Sequence, residues 1–214
     1  PTLTEVNEIA KTGKYDILPV SCEILSDFIT PIEAMRILQN VSTHCYLLES
    51  AQANEAWGRY TFLGYDPKLE INCIDGHMKL GKLSVETDNP SEYIRQILSE
   101  YKSPKFDYLP SFTGGLVGYF SYDYLGYKEK SIREKARDTE DFKDVDLMLF
   151  DKVIAFDNLC QKIILIANMS LDAPETGYNK AIVELKQLRE LLMHGEKKQN
   201  MGGKLLGEVT PLFE

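Results

Sequence analysis

The chain has 214 residues, of which 43% are hydrophobic and 27% charged, a composition ordinary for a globular protein with one sizeable core or two smaller ones. Its net charge of −9 argues against nucleic acid as the main partner, because phosphate binding requires a basic surface. The sequence shows no run of about 18 apolar residues and no secretory signal, so we expect no membrane partner and a cytoplasmic location.

Helix-start signals open several of the predicted helices. Thr30 can accept a hydrogen bond from an early backbone N–H while Glu33 reaches back, and Pro31 between them suits the first helical position. Residues 89–92 repeat this chemistry before apolar residues at helical spacing. We predict helices over residues 3–11 (with Thr4 as the cap), 31–39, 90–101 and 178–192.

Strand-like runs alternate with these helices, and several follow one another through tight turns. Residues 15–25 are predicted to form an edge strand, because Pro19 has no N–H for a ladder hydrogen bond. Asp75-Gly76 predicts a hairpin turn between residues 69–74 and 77–80. Further strands are predicted over residues 44–49 (buried), 59–65 and 114–121, and as a long hairpin joining 147–156 to 162–168. This order predicts an α+β fold of mainly antiparallel sheets packed with helices.

Two stretches are too polar to belong to a core. Residues 131–143 are highly charged and are expected to be exposed. Residues 195–214 begin with lysine, glutamine and glycine, a composition typical of a solvated linker. We therefore predict one domain over residues 1–194 and a linker over 195–214, as expected for the first part of a larger two-domain chain.

The sequence indicates no catalytic or metal-binding residue. The four cysteines lie far apart without a C-x-x-C pair, so we predict buried free thiols rather than zinc ligands. Paired acids occur at residues 140–141 and at Asp144 with Asp146, but in a charged stretch where nothing indicates the buried setting that a general acid or base requires.

A glycine-bearing run covers residues 112–123. Gly114, Gly115 and Gly118 can be interpreted as a phosphate-binding loop, but no Gly-Lys-Ser/Thr pattern or following helix supports that role. Glycine inside a strand more often marks a close approach of another element, which is the interpretation adopted for this run.

Residues 47–50 (Leu-Leu-Glu-Ser), 58–64 and 112–123 together resemble the amino-terminal domain of anthranilate synthase component I, a chorismate-utilising enzyme family. The similarity extends from about residue 17 to the last helix. It implies the first step of tryptophan biosynthesis, in which chorismate and ammonia or glutamine give anthranilate and pyruvate. It also implies that Mg²⁺ and the catalytic groups belong to a chorismate-binding domain missing here, that a glutamine amidotransferase subunit is the partner, and that this fragment is inactive alone.

From composition alone, residues 47–50 are a strand that ends in a polar turn. The resemblance makes them the allosteric feedback-inhibition motif, at which L-tryptophan binds. It implies that Leu48, Glu49 and Ser50 contact tryptophan, with Arg59 as a weaker candidate because members of the family differ most around that position. In the family, residues of the other domain complete the pocket.

Two alternatives remain open at this point. Aminodeoxychorismate synthase component I, of the folate pathway, shares this domain, although its version of the motif usually differs from the Glu49-Ser50 found here. The second alternative is a stand-alone amino-acid-binding module with no enzyme attached.

Overall fold

A computed structural model describes residues 1–50, 58–129 and 142–198, so the acids at 140–141 and most of the predicted linker lie outside the described residues. The helices are α1 (Leu3–Lys11), α2 (Pro31–Val41), α3 (Pro90–Ser99) and α4 (Pro174–His194), with a 3₁₀ helix at Tyr122–Tyr127. The strands are β1 (Ile17–Leu25), β2 (Cys45–Leu48), β3 (Tyr60–Tyr65), β4 (Leu69–Ile74), β5 (His77–Leu80), β6 (Leu83–Glu86), β7 (Gly115–Phe120), β8 (Val145–Phe150), β9 (Lys152–Asp157) and β10 (Lys162–Ser170).

The strands form two antiparallel sheets, which confirms the predicted α+β class. The first sheet has the order β1-β10-β9-β3-β2, and the second has the order β6-β5-β4-β8-β7. β1 lies at an edge, as Pro19 predicted. None of the helices in the described ranges is both long and apolar enough to cross a bilayer.

The largest core lies between the first sheet and helices α1, α2 and α4. Alternate residues of the strands face the helices, and the buried positions of α4 recur at helical spacing. The fully buried residues on this side include Leu18, Leu38, Leu63, Ile163, Leu165 and Leu188.

A smaller core covers one face of the second sheet. Ile71, Met78, Val145 and Leu147 project from three neighbouring strands, and Ile94 of α3 packs against them. The Asp75-Gly76 turn that joins β4 to β5 has positive φ at both residues, 52° and 86°, which the predicted hairpin turn requires.

The predicted continuous strand over residues 147–156 is wrong, because the chain changes sheet in the middle of this run. β8 pairs with β4 and β7, whereas β9 pairs with β10 and β3. Asp151 stands at the change, where its carbonyl accepts a hydrogen bond of 2.8 Å from the backbone N–H of Asn168. The sequence places the charged pair Asp151-Lys152 at this break, between two apolar runs.

Two predicted details at helix ends are also wrong. α1 is capped by Thr2, whose hydroxyl accepts from the backbone N–H of Glu5, and not by Thr4, which is already helical. Asn89 makes no side-chain capping bond to α3. The capping box at Thr30 forms as predicted.

The prediction of buried thiols is only partly confirmed. All four cysteines are free, but only Cys73 is buried, and Cys160 is exposed. The expected buried strand at residues 44–49 is likewise an edge strand in which only Tyr46 is buried. Cys45 accordingly lies partly exposed, in a strand that has a neighbour on one side only.

Candidate functional site

The Leu-Leu-Glu-Ser motif lies where β2 ends, at the edge of the first sheet. Leu48 is the last strand residue and lies opposite Phe62 of β3, with 47% of its surface exposed. Glu49 and Ser50 follow in an irregular segment and are exposed. The motif therefore presents an apolar side chain, a carboxylate and a hydroxyl at one end of the sheet.

The sheet register brings Arg59 to the same end. β2 and β3 are antiparallel neighbours, so the chain leaves this end after Leu48 and returns to it at Tyr60. Arg59 immediately precedes β3, and Tyr60 lies opposite Asp157, the last residue of β9. All four predicted site residues thus belong to two adjacent strand ends, and their assignment as ligand contacts stays a prediction.

The guanidinium of Arg59 already has a partner within the domain. Its Nε donates to Oδ1 of Asp157 at 3.0 Å, and its Nη2 donates to Oδ2 at 2.6 Å. Nη2 also lies 3.5 Å from the sulfur of Cys160, and the guanidinium carbon lies 4.9 Å from the centre of the Tyr60 ring. A bidentate pair of this kind fixes the orientation of the arginine as well as its position.

Asp157 is the buried member of that pair. Its side chain is 0% exposed, and it also accepts from the backbone N–H groups of Leu159 and Cys160, at 3.2 Å and 3.0 Å. Burial alone raises the pKa of this carboxyl, but the hydrogen bonds from Arg59 and Cys160 and the attraction of the guanidinium outweigh it and hold the pKa at about 2. Asp157 is therefore an anion at neutral pH, and it raises the pKa of Arg59 in return.

An aromatic cluster adjoins the motif on the face of the sheet to which Leu48 belongs. It comprises Tyr46, Tyr60, Phe62, Phe112 and Phe150. The rings of Phe62 and Phe112 meet edge to face at 5.6 Å, and those of Tyr46 and Phe150 at 4.7 Å. Phe112 opens the glycine-bearing run, so the two most informative parts of the sequence meet in this cluster.

Tyr46 is a buried member of the aromatic cluster, and sequence reasoning missed it. Its ring packs over Gly64 so closely that a Cβ there would lie 2.2 Å from the ring edge. Its hydroxyl is buried and has no hydrogen-bond partner among the described residues, and burial raises its pKa. The glycine at residue 64, opposite an aromatic residue on the next strand, was the available signal.

The glycine-bearing run packs closely against its neighbours, as predicted. Gly118 has φ 152°, and a Cβ there would lie 2.0 Å from the carbonyl oxygen of Asp146 on β8. At Gly114, with φ 148°, a Cβ would lie 2.6 Å from Nδ2 of Asn168. Asn168 uses that nitrogen to hold the run, donating to the carbonyl of Thr113 at 2.6 Å.

The acids considered in the sequence have structural partners where the structure describes them. Asp144 is 4% exposed and accepts from the hydroxyl of Tyr127 at 2.7 Å and from the backbone N–H of Asp75 at 2.9 Å. Asp146 pairs with Lys143 at 2.8 Å. Within the described ranges, no group of three or more histidine, cysteine, aspartate or glutamate side chains is arranged to hold a metal ion.

Comparison with known proteins shows clear relatives. The chain is 33% identical to anthranilate synthase component 1 from Acetivibrio thermocellus over 198 residues, which are 90% of this chain and 39% of that protein. It is 35% identical to the Pseudomonas aeruginosa protein of the same name over 186 residues, which are 83% of this chain and 37% of that protein. The chain thus spans well under half the length of these curated relatives.

The fold comparison agrees with the sequence comparison. A crystal structure of anthranilate synthase component I from Streptococcus pneumoniae TIGR4 is similar with a TM-score of 0.50 and 26% identity. The match covers 78% of this chain and 36% of that chain. No protein-family model matches the sequence.

Proposed function

Since this chain is homologous to anthranilate synthase component 1 over most of its own length, we propose that it is the amino-terminal regulatory and scaffold domain of such an enzyme. The observation that carries the proposal is the 33% identity over 90% of the chain to the Acetivibrio thermocellus protein. The full-length protein would convert chorismate and ammonia into anthranilate and pyruvate. A glutamine amidotransferase subunit would supply the ammonia.

The chorismate-binding domain and its Mg²⁺ would belong to the part of the relatives that this chain does not span. The acids described above support this division, because Asp144 is committed to hydrogen bonds with Tyr127 and the β4–β5 turn, and Asp146 to a local ion pair with Lys143. The domain alone would therefore be inactive. Its contribution would be to pack against the catalytic domain and to bind a regulator.

The regulator would be L-tryptophan, bound at Leu48, Glu49 and Ser50. An indole side chain buries on the order of 150–250 Å², worth roughly 4–6 kcal/mol at about 25 cal/mol per Å². Association costs at least about 4 kcal/mol, whereas micromolar binding needs about 8 kcal/mol net. Charged hydrogen bonds of roughly 1.5–3 kcal/mol each must supply the difference. Glu49 offers a carboxylate for the ammonium group, and Ser50 offers a hydroxyl.

Arg59 would contribute to tryptophan binding mainly through the fixed orientation of its guanidinium. A guanidinium has five N–H donors, and the pair with Asp157 uses one on Nε and one on Nη2. The remaining donors can reach a ligand carboxylate only in the orientation that Asp157 sets. This constraint supports a secondary role for Arg59 beside Glu49 and Ser50.

The test is anthranilate fluorescence from the full-length protein given chorismate, Mg²⁺ and ammonia while tryptophan is titrated. Product that falls as tryptophan rises supports both the enzyme and the regulatory site. Product formation that tryptophan does not change supports the enzyme assignment but contradicts the regulatory site, and leaves this domain with a scaffold role. Formation of aminodeoxychorismate instead, or of no product, overturns the assignment in favour of the folate-pathway relative or of a binding module.

A further inference from the structure

The four residues that follow α4 lie along the surface of α2, and we call these residues 195–198 the strap. α4 ends at His194, and the next residue is Gly195. A Cβ at Gly195 would lie 2.4 Å from the carbonyl oxygen of Leu191 and 2.6 Å from Cγ2 of Ile37 on α2. The lack of a side chain at this residue therefore allows the chain to pass close to α2.

Three hydrogen bonds hold the strap on α2, and each of them uses a backbone group of the strap. The N–H of Lys198 donates to the carbonyl of Arg36 at 3.0 Å, and Nε of Arg36 donates to the carbonyl of Lys198 at 2.9 Å. Nδ2 of Asn40, one turn further along α2, donates to the carbonyl of Glu196. Lys198 also lies across a cleft from residues 39–43, so the strap reaches the turn that leads from α2 to β2.

The contacts of the strap are individually weak. Lys197 forms an ion pair with Glu33, but 48% of the lysine side chain and 36% of the glutamate side chain are exposed. Exposed ion pairs and hydrogen bonds compete with water, so each of them contributes little to stability. The strap can therefore leave α2 while the core between the helices and the first sheet stays packed.

α2 leads directly to the Leu-Leu-Glu-Ser motif. Ser42, which follows the helix, holds the turn into β2. Its hydroxyl donates to the carbonyl of His44 at 2.8 Å and accepts from the backbone N–H groups of His44 and Asp66 at 3.2 Å and 2.9 Å. β2 then runs to Leu48, with only four residues and a neighbouring strand on one side only. A shift of α2 is therefore passed through a fixed turn to a short edge strand that ends at the motif.

We propose that the strap is a latch that couples the position of the chain after Lys198 to tryptophan binding at the motif. This inference rests on the proposed function, in which the catalytic part of component 1 follows this domain in the chain. With the strap on α2, a movement of that part pulls on α2 and on the start of β2. With the strap released, the same movement leaves the motif unchanged, and tryptophan loses part of its hold on the enzyme.

Coupling of this kind is reciprocal. If the position of the strap alters the affinity for tryptophan, then tryptophan alters the hold of the strap on α2 by the same factor. The latch can therefore be tested from both sides in the full-length protein. Amide exchange at Lys198 reports the strap, and anthranilate formation with tryptophan titrated reports the motif.

Amide exchange tests whether the strap is held. Hydrogen–deuterium exchange resolved to the amide of Lys198 should be at least about tenfold slower in the full-length protein than in an unstructured peptide of the same sequence. The double variant Arg36→Ala/Asn40→Ala should lose that protection, because it removes two of the three donors that hold the strap. An unprotected Lys198 in the wild type overturns the proposal, and so does protection that this double variant keeps.

A matched control exists on α4. Lys186→Ala/Gln187→Ala also removes one positive charge and one side-chain amide, from two exposed positions. None of the four replaced residues is among the buried positions of its helix, so both double variants should fold. The control should leave both the exchange of Lys198 and tryptophan inhibition as in the wild type.

Tryptophan inhibition tests the coupling. Arg36→Ala/Asn40→Ala should raise the tryptophan concentration that halves anthranilate formation at least about fivefold, which is the lower end of typical allosteric coupling. The rate without tryptophan should stay within about twofold of the wild-type rate, because the strap lies outside the catalytic part. In the wild type, saturating tryptophan should slow the exchange of Lys198 at least about fivefold.

The outcomes separate the latch from the proposed function. Equal inhibition of the wild type and of Arg36→Ala/Asn40→Ala, although Lys198 has lost its protection, overturns the latch and leaves the proposed function standing. An equal loss of inhibition in the control variant also overturns the latch, because surface charge would then explain the effect. A wild type that forms no anthranilate, or that tryptophan does not inhibit, overturns the proposed function and the latch that depends on it.

Discussion

The guanidinium of Arg59 and the carboxylate of Asp157 join two strand ends through parallel hydrogen bonds of 3.0 Å and 2.6 Å. The two residues are 98 positions apart in the sequence. The same carboxylate holds the turn after β9 through two backbone N–H groups, and the N–H of Asn158 donates to the carbonyl of Arg59 at 2.9 Å. One buried anion therefore fixes the β9–β10 turn and the entry to β3 beside the Leu-Leu-Glu-Ser motif.

Replacing Arg59 with alanine should lower the free energy of unfolding by about 2–3 kcal/mol, because it leaves a buried carboxylate without its counter-charge. Urea unfolding measures the change. Lys162→Ala is the matched control, since Lys162 also forms an ion pair of 2.6 Å but with Glu23, whose side chain is 50% exposed. That variant should lose at most about 1 kcal/mol. Equal losses would show that burial of Asp157 is not the decisive factor.

The pair of Arg59 and Asp157 also predicts that the free energy of unfolding depends on pH in the acid range. The folded pKa of Asp157 is about 2, below its ordinary 3.8, so its contribution to stability is fully present above about pH 4 and is lost as the pH falls towards 2. The free-energy difference between the wild type and Asp157→Asn should therefore shrink by about 2 kcal/mol between pH 5 and pH 2. Urea unfolding of both proteins at each pH measures it, and a difference independent of pH would contradict the assignment.

Local chemistry made part of this fold predictable. Asp75-Gly76 predicted its hairpin because both residues tolerate positive φ, and Thr30 with Glu33 predicted the start of α2 because a capping box involves only neighbouring residues. The change of sheet at Asp151 was not predictable in this way. It depends on a contact with Asn168, whose position is set by the pairing of β10 with β9 and β1.

In the candidate site, too, local features were predictable from the sequence and contacts between distant residues were not. The motif itself and the close packing around Gly118 were visible in the sequence. The partner of Arg59 was not, because Asp157 lies far along the chain, directly after the strand predicted over residues 147–156. The contact between Phe62 and Phe112 was also hidden, since each belongs to a separate run and only the packing of segment 106–114 on the first sheet brings them together.

Gly118 should tolerate no side chain. An added Cβ would lie 2.0 Å from the backbone oxygen of Asp146, which cannot move without disturbing β8, and φ is 152°. Gly118→Ala should cost about 3 kcal/mol or more. Gly13→Ala is the control, because φ is 61° there but nothing lies within 4 Å of the added Cβ, and a cost of about 1 kcal/mol is expected. Similar melting temperatures for the two variants would contradict the close approach.

Tyr127 links the 3₁₀ helix to the β4–β5 hairpin through its hydroxyl. The hydroxyl donates to Asp144 at 2.7 Å and accepts from the backbone N–H of Gly76 at 2.7 Å. Tyr127→Phe should lower the free energy of unfolding by about 1–3 kcal/mol, because it removes one partner from a buried carboxylate and one from a backbone N–H. Tyr122→Phe, at a position 77% exposed, should change it by less than about 0.5 kcal/mol. An equal effect of both variants on urea unfolding would show that the hydrogen bonds of the Tyr127 hydroxyl do not stabilise the fold.

Variants of Ser50 and Arg59 should distinguish a residue that contacts tryptophan from one that acts only through its pair with Asp157. In the full-length protein, Ser50→Phe should abolish tryptophan inhibition while anthranilate formation without tryptophan stays near the wild-type rate, because the added ring occupies the site and Ser50 is exposed in the domain itself. Arg59→Lys should weaken inhibition only partly, by about tenfold in the tryptophan concentration needed, since lysine keeps the charge but not the bidentate pair with Asp157. Both effects are measured as the tryptophan concentration that halves anthranilate production. Unchanged inhibition of Ser50→Phe would remove Ser50 from the site. Full loss in Arg59→Lys would instead make the arginine a direct ligand contact.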